Sequence, residues 1–308
     1  MHNYKLSVII PAYNEEGNIA ALVGRLVPAI ESCPDYEIIF VDDGSTDNSL
    51  EILRNLHQSN PKINYISLSR NFGHRNGIRA GLSKSTGDCI VAMDADLQHR
   101  PELIQSMINK WLEGYHIVYT IRRQGNLSFF KKITSKLFYK VINRLADIKL
   151  EHGSADFRLL DRSVVDILNE MHENSLFLRG MVSWLGFKQF SIDYKPDDRN
   201  WGKTKYPANK MLRFAISGIT SFSMKPLQIS TLLGTIIASF AFIYGSIAVI
   251  MKLFTNTTVS GWTSLLVSVL FIGGIQLIML GIIGEYLGNI FIETKKRPNF
   301  IIKEKSLD

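Results

Sequence analysis

The chain has 308 residues, 46% of them apolar and 20% charged, which suits one large or two modest globular domains that carry a membrane segment. Its two cysteines, Cys33 and Cys89, stand far apart with no C-x-x-C, which excludes a disulfide framework and makes a reducing compartment the default. A net charge of +7 suits anionic partners: nucleic acid, anionic lipid or phosphorylated substrates.

The opening stretch MHNYKLSVIIP holds an apolar run too short for the core of a signal peptide, so this end is expected to stay cytoplasmic. From there to about residue 120 the chain alternates in type. LSVIIP, YEIIFV, INYISLS, CIVAMD and HIVYTIR are short runs rich in Val, Ile and Tyr, which predicts strands. Between them, 15–32, 47–59, 74–84 and 101–113 have helical character, with helix starts at Asn14, at Ser45 or Thr46, and at Arg100-Pro101. Such alternation predicts an α/β fold with a mostly parallel sheet covered by helices on both faces. Ligands of these sheets bind at the carboxyl ends of the strands.

Those ends are acidic. Glu15 follows the first strand, Asp42 and Asp43 end the second, and Asp94 and Asp96 end the fourth. Read as a strand end, Asp94 and Asp96 point to one side and repel. Mg²⁺ or Mn²⁺ is the natural neutraliser of such a pair; the plainer reading of VAMDADLQHR alone is an exposed acidic turn. No G-x-G-x-x-G follows the first strand and no G-x-x-x-x-G-K-[ST] occurs, which disfavours a dinucleotide cofactor and a P-loop. The acids suit a nucleotide held by its base and ribose, with its diphosphate carried on a metal.

Residues 122–144 hold Arg122, Arg123, Lys131, Lys132, Lys136, Lys140 and Arg144 and no acid. Lys132, Lys136, Lys140 and Arg144 recur at every fourth position, with Phe129, Phe130, Phe138 and Tyr139 interleaved. An RNA-binding helix, a solvated face and a membrane-surface helix all fit this pattern. Residues 207–223 place Met211, Leu212, Ala215, Ile216, Ile219 and Phe222 at helical spacing, as in an interfacial helix or a plain connector. Neither 226–251 nor 261–284 contains a charge, and each exceeds the ~20 residues that cross a hydrocarbon core. Spans are expected over about 227–251 and 263–284. Lysines and arginines flank the pair on both outer sides, which places both flanks in the cytoplasm. The spans favour the lipid reading of the basic stripe, so no nucleic-acid partner is expected. Gly284 and Gly288 form a small-xxx-small pair that permits a homo-oligomer.

Together, SVIIPAYNEEGNI, VDDGSTDNS, RNFGHRNGIRAGL and DADLQHRPELI resemble glycosyltransferase family 2, whose fold is GT-A. Within it the chain is most similar to the polyprenyl-phosphate glycosyltransferases, which include dolichol-phosphate mannose synthase and bacterial bactoprenol glucosyltransferase. SADFRLLDR, LRGMVSWLGF, GKTKY and IGEYLG extend the likeness over nearly the whole chain.

The resemblance implies that Asp94 and Asp96 form a D-x-D motif holding Mg²⁺ or Mn²⁺ on the diphosphate of a nucleotide sugar. It implies that Pro11, Tyr13 and Glu15 line the base and ribose pocket and that Asp43 accepts a hydrogen bond from the base. Asp42 is open between that pocket and a structural cap. Gln98 would touch the acceptor phosphate or the metal shell, and Asp156 would be a general base or a positioning group. Arg122, Lys131 and Ser135 would hold the acceptor phosphate. Arg199 and Lys205, in DRNWGKTKY, would close over the phosphates, with Thr204 where the family has Ser.

The implied organisation is a GT-A domain over 1–206, an interfacial helix over 207–225, a transmembrane hairpin over 226–288 and a cytoplasmic tail over 289–308, in a cell membrane. The implied reaction is inverting transfer of a hexose, with UDP-glucose favoured, to undecaprenyl phosphate. UDP-N-acetylglucosamine, GDP-mannose and an aminosugar donor stay open. A polysaccharide synthase is the first rival, but it would use more spans and a Q-x-x-R-W motif, which is absent. A membrane scaffold that binds nucleotide sugar without turnover is the second.

Overall fold

A computed structural model describes residues 3–122, 154–171, 173, 178–195, 223–255 and 261–307. The expected alternation is present: β1 (Lys5–Ala12), α1 (Glu16–Ile30), β2 (Asp35–Asp42), α2 (Ser49–Ser59), β3 (Ile63–Leu68), α3 (His74–Lys84) and β4 (Cys89–Ala92). A short 3-10 turn, Pro101–Leu103, leads into α4 (Ile104–Leu112), and β5 (Ile117–Arg122) follows. Later come β6 (Ser154–Asp161), α5 (Arg162–Glu170), α6 (Leu178–Trp184) and β7 (Gln189–Tyr194).

These strands and β8 (Ile302–Lys305) form one eight-stranded sheet in the order β7-β5-β6-β4-β1-β2-β3-β8. β1 pairs in parallel with β2 and β4, β2 with β3, and β5 with β7. β6 runs against both β4 and β5, and β8 runs against β3. Reversal of β6 has a functional consequence. Its first residues lie on the same rim as the last residues of β1, β2, β4, β5 and β7.

Both faces of the central strands are covered, which is why their sequences read as near-continuous apolar runs. Leu6, Val8 and Ile10 of β1 are fully buried in one cluster with Ile19, Leu22, Leu26 and Ile30 of α1. On the other face α3 packs so closely that a Cβ added to Gly81 would stand 2.2 Å from Ile9 Cγ2.

The 289–308 stretch, expected as a tail, divides in two. The preceding helix continues to Thr294, and Ile302–Lys305 enters the sheet as β8. Arg54 grips Glu304 with two prongs, Nε to Oε1 at 2.9 Å and Nη2 to Oε2 at 2.7 Å. Without β8 the β3 edge would be open to pairing with other chains. Four residues are too few for a strand pattern to show in the sequence.

A second compact unit holds two long helices, α7 (Lys225–Thr255, 31 residues) and α8 (Trp262–Thr294, 33 residues). Both outrun the expected spans. Within this unit the Tyr286 hydroxyl donates to the Ser223 carbonyl at 2.6 Å. Lys225–Ile247 and Phe271–Thr294 are long and apolar enough to cross a membrane, each with mean hydropathy 1.7 and almost nothing buried. Phe240, Phe242 and Leu277 are more than two-thirds exposed. The expected interfacial helix up to residue 222 and the basic stretch from Arg123 onward lie outside the described residues.

Gly81→Ala forces α3 away from β1 and is expected to destabilise the unit built on the sheet by about 1–3 kcal/mol, read as a lower midpoint in thermal unfolding of the detergent-solubilised protein. Deleting residues 302–308 should lower the midpoint by several degrees and promote aggregation. Glu304→Gln should do little, because that ion pair is half-exposed and keeps only part of its charge attraction in water.

Candidate active site

Hydrogen bonds between successive loops build the rim. After β1 the backbone turns left-handed at Asn14 (φ 55°), a conformation that Asn tolerates. The Asn14 amide donates to Ser45 Oγ at 3.0 Å, and its side-chain oxygen accepts the Thr46 amide at 2.8 Å. Glu15 donates its amide to Ser49 Oγ at 3.0 Å and accepts from Asn18 Nδ2 at 2.6 Å. Pro11 lies buried under α3, and Tyr13 is half-buried on the rim.

The two acids after β2 are occupied by backbone and hydroxyl donors. Asp42 accepts the Ser45 amide at 3.0 Å and the Ser67 hydroxyl at 2.9 Å. Asp43 accepts the amides of Phe72 and Gly73, at 2.7 and 2.8 Å, and so clamps the turn that opens α3. Burial pushes the Asp43 carboxyl up, and those amides pull it back. Asp42 is thus a structural cap. A base contact at Asp43 would have to use its remaining lone pairs. Repulsion among five acids, the reason for expecting a cation, is already relieved at these two.

Asp94 and Asp96 lie beyond the end of β4, in a turn, so strand alternation does not set their directions. Leu97 takes a left-handed φ of 60° there, which costs a non-glycine residue energy and is typical of functional turns. Asp96 is nearly buried and accepts the Gln98 amide at 3.2 Å. His74, the first residue of α3, places Nε2 2.7 Å from Asp94 Oδ1. Fully buried His99 accepts the Asp94 amide at Nδ1, 3.0 Å away. Burial would raise the Asp94 carboxyl, but His99, the His74 hydrogen bond and Arg122 hold it well below the usual carboxylate range.

Asp156 sits on the third residue of β6, not at a helix cap. Arg179 of α6 grips it with two bonds, Nε to Oδ1 at 2.8 Å and Nη2 to Oδ2 at 3.0 Å. Arg158, almost wholly buried, stands 3.6 Å from the same carboxylate. Its Nε has no hydrogen-bond partner among the described residues. Burial alone would raise Asp156; Arg179 and then Arg158 overcome it and hold the carboxyl at about 2. Asp94, Asp96 and Asp156 all act electrostatically on His99, so the three carboxylates share one neighbourhood.

The sequence pattern of Glycosyl transferase family 2 matches residues 7–168, more than half of the chain. The chain belongs to this family. It is 45% identical over 301 residues to the uncharacterized glycosyltransferase YkcC of Bacillus subtilis (strain 168), covering 97% of this chain and 93% of the relative. It is 41% identical over 302 residues to a prophage bactoprenol glucosyl transferase homolog of Escherichia coli (strain K12), covering 97% and 98%. It is 38% identical over 304 residues to the bactoprenol glucosyl transferase of Shigella phage SfX, covering 98% and 99%.

For this family 2 glycosyltransferase of GT-A fold, the donor set suits a hard divalent ion. Asp94, Asp96 and the Gln98 side-chain carbonyl offer only oxygen. Among the described residues no group of three or more His, Cys, Asp or Glu makes a cage that could hold a metal ion. Mg²⁺ and Mn²⁺ bound beside phosphates need no such cage, since one or two carboxylates and the phosphate oxygens complete the shell. The residues therefore fit an ion that arrives with a diphosphate.

Arg122 ends β5 and reaches back to this turn, with Nε donating to Tyr194 of β7 at 3.0 Å and Nη1 lying 3.4 Å from Gln98 Oε1. The structure thus gathers Asp94, Asp96, Gln98, Arg122 and Asp156 on one stretch of rim. Tyr13, Glu15 and Asp43 belong to the neighbouring loops. Lys131, Ser135, Arg199 and Lys205 lie outside the described residues. Sequence reading passed over His74, His99, Arg158 and Arg179. His74, His99 and Arg179 stand inside motifs that resemble the family, RNFGHRNGIRAGL, DADLQHRPELI and LRGMVSWLGF; Arg158 stands inside SADFRLLDR.

Because Asp156 is held near 2, it stays ionised at every workable pH, and the kcat/KM profile should show no acid limb from it above about pH 4. Arg179→Met removes the main group that opposes burial. The Asp156 pKa should then rise, and an acid limb should appear and move toward neutrality.

Proposed function

We propose that this glycosyltransferase moves a hexose, with UDP-glucose favoured, from a nucleotide sugar to undecaprenyl phosphate on the cytoplasmic side of a cell membrane, with inversion at the anomeric carbon. The observation that carries this reading is the Arg179–Asp156 clamp. A carboxylate held at about 2 is a poor base for stripping a sugar hydroxyl of its proton. It suits an acceptor that arrives already ionised, as a phosphate monoester does. Relatives named for bactoprenol, matched over nearly their whole length, support the same acceptor.

In this reading Asp94 and Asp96, with Gln98 beside them, would hold Mg²⁺ or Mn²⁺, which supplies charge neutralisation to the departing nucleoside diphosphate. Pro11, Tyr13, Glu15 and Asp43 would flank the base and ribose. Arg122 at the end of β5 would orient the acceptor phosphate, with Lys131, Ser135, Arg199 and Lys205 as further phosphate ligands. Asp156 acts as a positioning group, held in place and ionised by Arg179. Aligning a membrane-bound nucleophile with a soluble donor is the main catalytic task.

α7 and α8 would cross the membrane as a hairpin. β8 follows α8 in the chain yet is hydrogen-bonded into the sheet that precedes α7. Both flanks therefore share a side, which requires an even number of crossings. Lys295, Lys296 and Arg297 after α8 support a cytoplasmic side for both.

Purified protein supplied with undecaprenyl phosphate and radiolabelled UDP-glucose should transfer label to the butanol-extractable lipid, faster than with UDP-N-acetylglucosamine or GDP-mannose. Excess chelator should abolish transfer, and Asp96→Asn should lower it by at least about 100-fold while the protein stays folded and membrane-inserted. Label in a water-insoluble polymer would reject the acceptor, and full activity in Asp96→Asn would reject the ion site.

A further inference from the structure

His99 is held in a hydrogen-bonding arrangement that no protonation state satisfies. Its ring is fully buried, stacked on Phe157 of β6 at 5.0 Å between centroids and 16° between planes. Nδ1 faces the Asp94 amide at 3.0 Å. Nε2 faces Arg122 Nη2 at 2.9 Å. A backbone amide and a guanidinium can only donate. A neutral imidazole has one acceptor nitrogen, so one of these contacts sets a donor against a donor. A proton on Nδ1 would oppose the amide; a proton on Nε2 opposes Arg122. Charging the ring makes both contacts adverse.

The amide is fixed by the backbone of the turn, and the ring by its stack. Arg122 is the partner that can move. Apart from His99 it has, among the described residues, one short bond, to Tyr194 at 3.0 Å, and a long one to Gln98 Oε1 at 3.4 Å. An acceptor for a proton on Nε2 waits nearby, since Asp94 Oδ2 is 3.6 Å away.

We infer that His99 is a positioning residue that couples an anion on Arg122 to the metal-and-diphosphate site at Asp94. A phosphate at the end of β5 draws the guanidinium off Nε2. The Nε2 proton then closes on Asp94 Oδ2 and fixes that carboxylate, while Gln98 Oε1 is released toward the ion. Acceptor phosphate and metal-bound nucleotide therefore bind cooperatively, and each tightens the other by the same factor. This rests on the reading above, in which Arg122 takes the acceptor phosphate and Asp94 the donor's ion.

Calorimetry on the full-length protein in detergent tests the coupling. UDP with Mn²⁺ should bind at least about fivefold more tightly when farnesyl monophosphate is present. In His99→Phe, which keeps the stack and loses both nitrogens, UDP with Mn²⁺ should still bind and the enhancement should fall below about twofold, a loss set against the same fivefold coupling. Absence of coupling in the wild type, or undiminished coupling in His99→Phe, overturns the inference.

Should that variant fail to fold, wild-type protein carrying ¹⁵N-histidine gives a second readout without metal. Farnesyl monophosphate alone should shift the His99 Nε2–H resonance, and an unmoved resonance overturns the link between Arg122 and His99. Failure of the underlying reading looks different. There, UDP with Mn²⁺ would not bind the wild type, or would bind Asp96→Asn equally well, whatever the histidine resonance does.

Discussion

Charge at the rim of one sheet must be matched, and the way each acid is matched decides what it can do. Asp42 and Asp43 are met by backbone amides and a hydroxyl, so they hold loops. Asp156 is met by two guanidiniums, so it is fixed and ionised. Asp94 is met by His74 and lies beside buried His99. The cluster of Asp94, Asp96 and Asp156 against Arg122, Arg158 and Arg179 is close to neutral without any cation. An ion and a diphosphate, arriving together, would keep it so.

That balance separates the roles of residues that composition alone makes look alike. A buried carboxylate without a cation would be pushed toward protonation and could serve as a base. Arg179 reverses this at Asp156, and Arg158 adds to it from within the sheet, its Nε without a partner among the described residues. A site so arranged stabilises and orients charge more than it moves protons. It suits a nucleophile that needs no deprotonation.

The sheet also ties the two units of the chain together by connectivity. β8 closes the β3 edge, so the segment holding α7 and α8 is a loop whose two ends both return to the catalytic unit. α7 and α8 expose phenylalanines and leucines, and each contains a stretch long and apolar enough to cross a membrane.

Much of this was legible in the residues. Strand and helix alternation over the first 122 residues, the apolar lengths of α7 and α8, and the acids after β2 and β4 are local patterns. Apolar periodicity, span length and loop chemistry depend only on neighbours in the chain, so the sequence by itself determined the α/β class and the likeness to family 2, and placed acids at the ends of β2 and β4. Only the tertiary structure decided that β6 runs backwards and so carries Asp156 to that rim, that Arg179 meets it from 23 residues away, that His99 stands between Asp94 and Arg122, and that β8 completes the sheet. Strand direction and the pairing of buried charges are settled by contacts between distant segments, where desolvation must be offset, and no local pattern records those contacts.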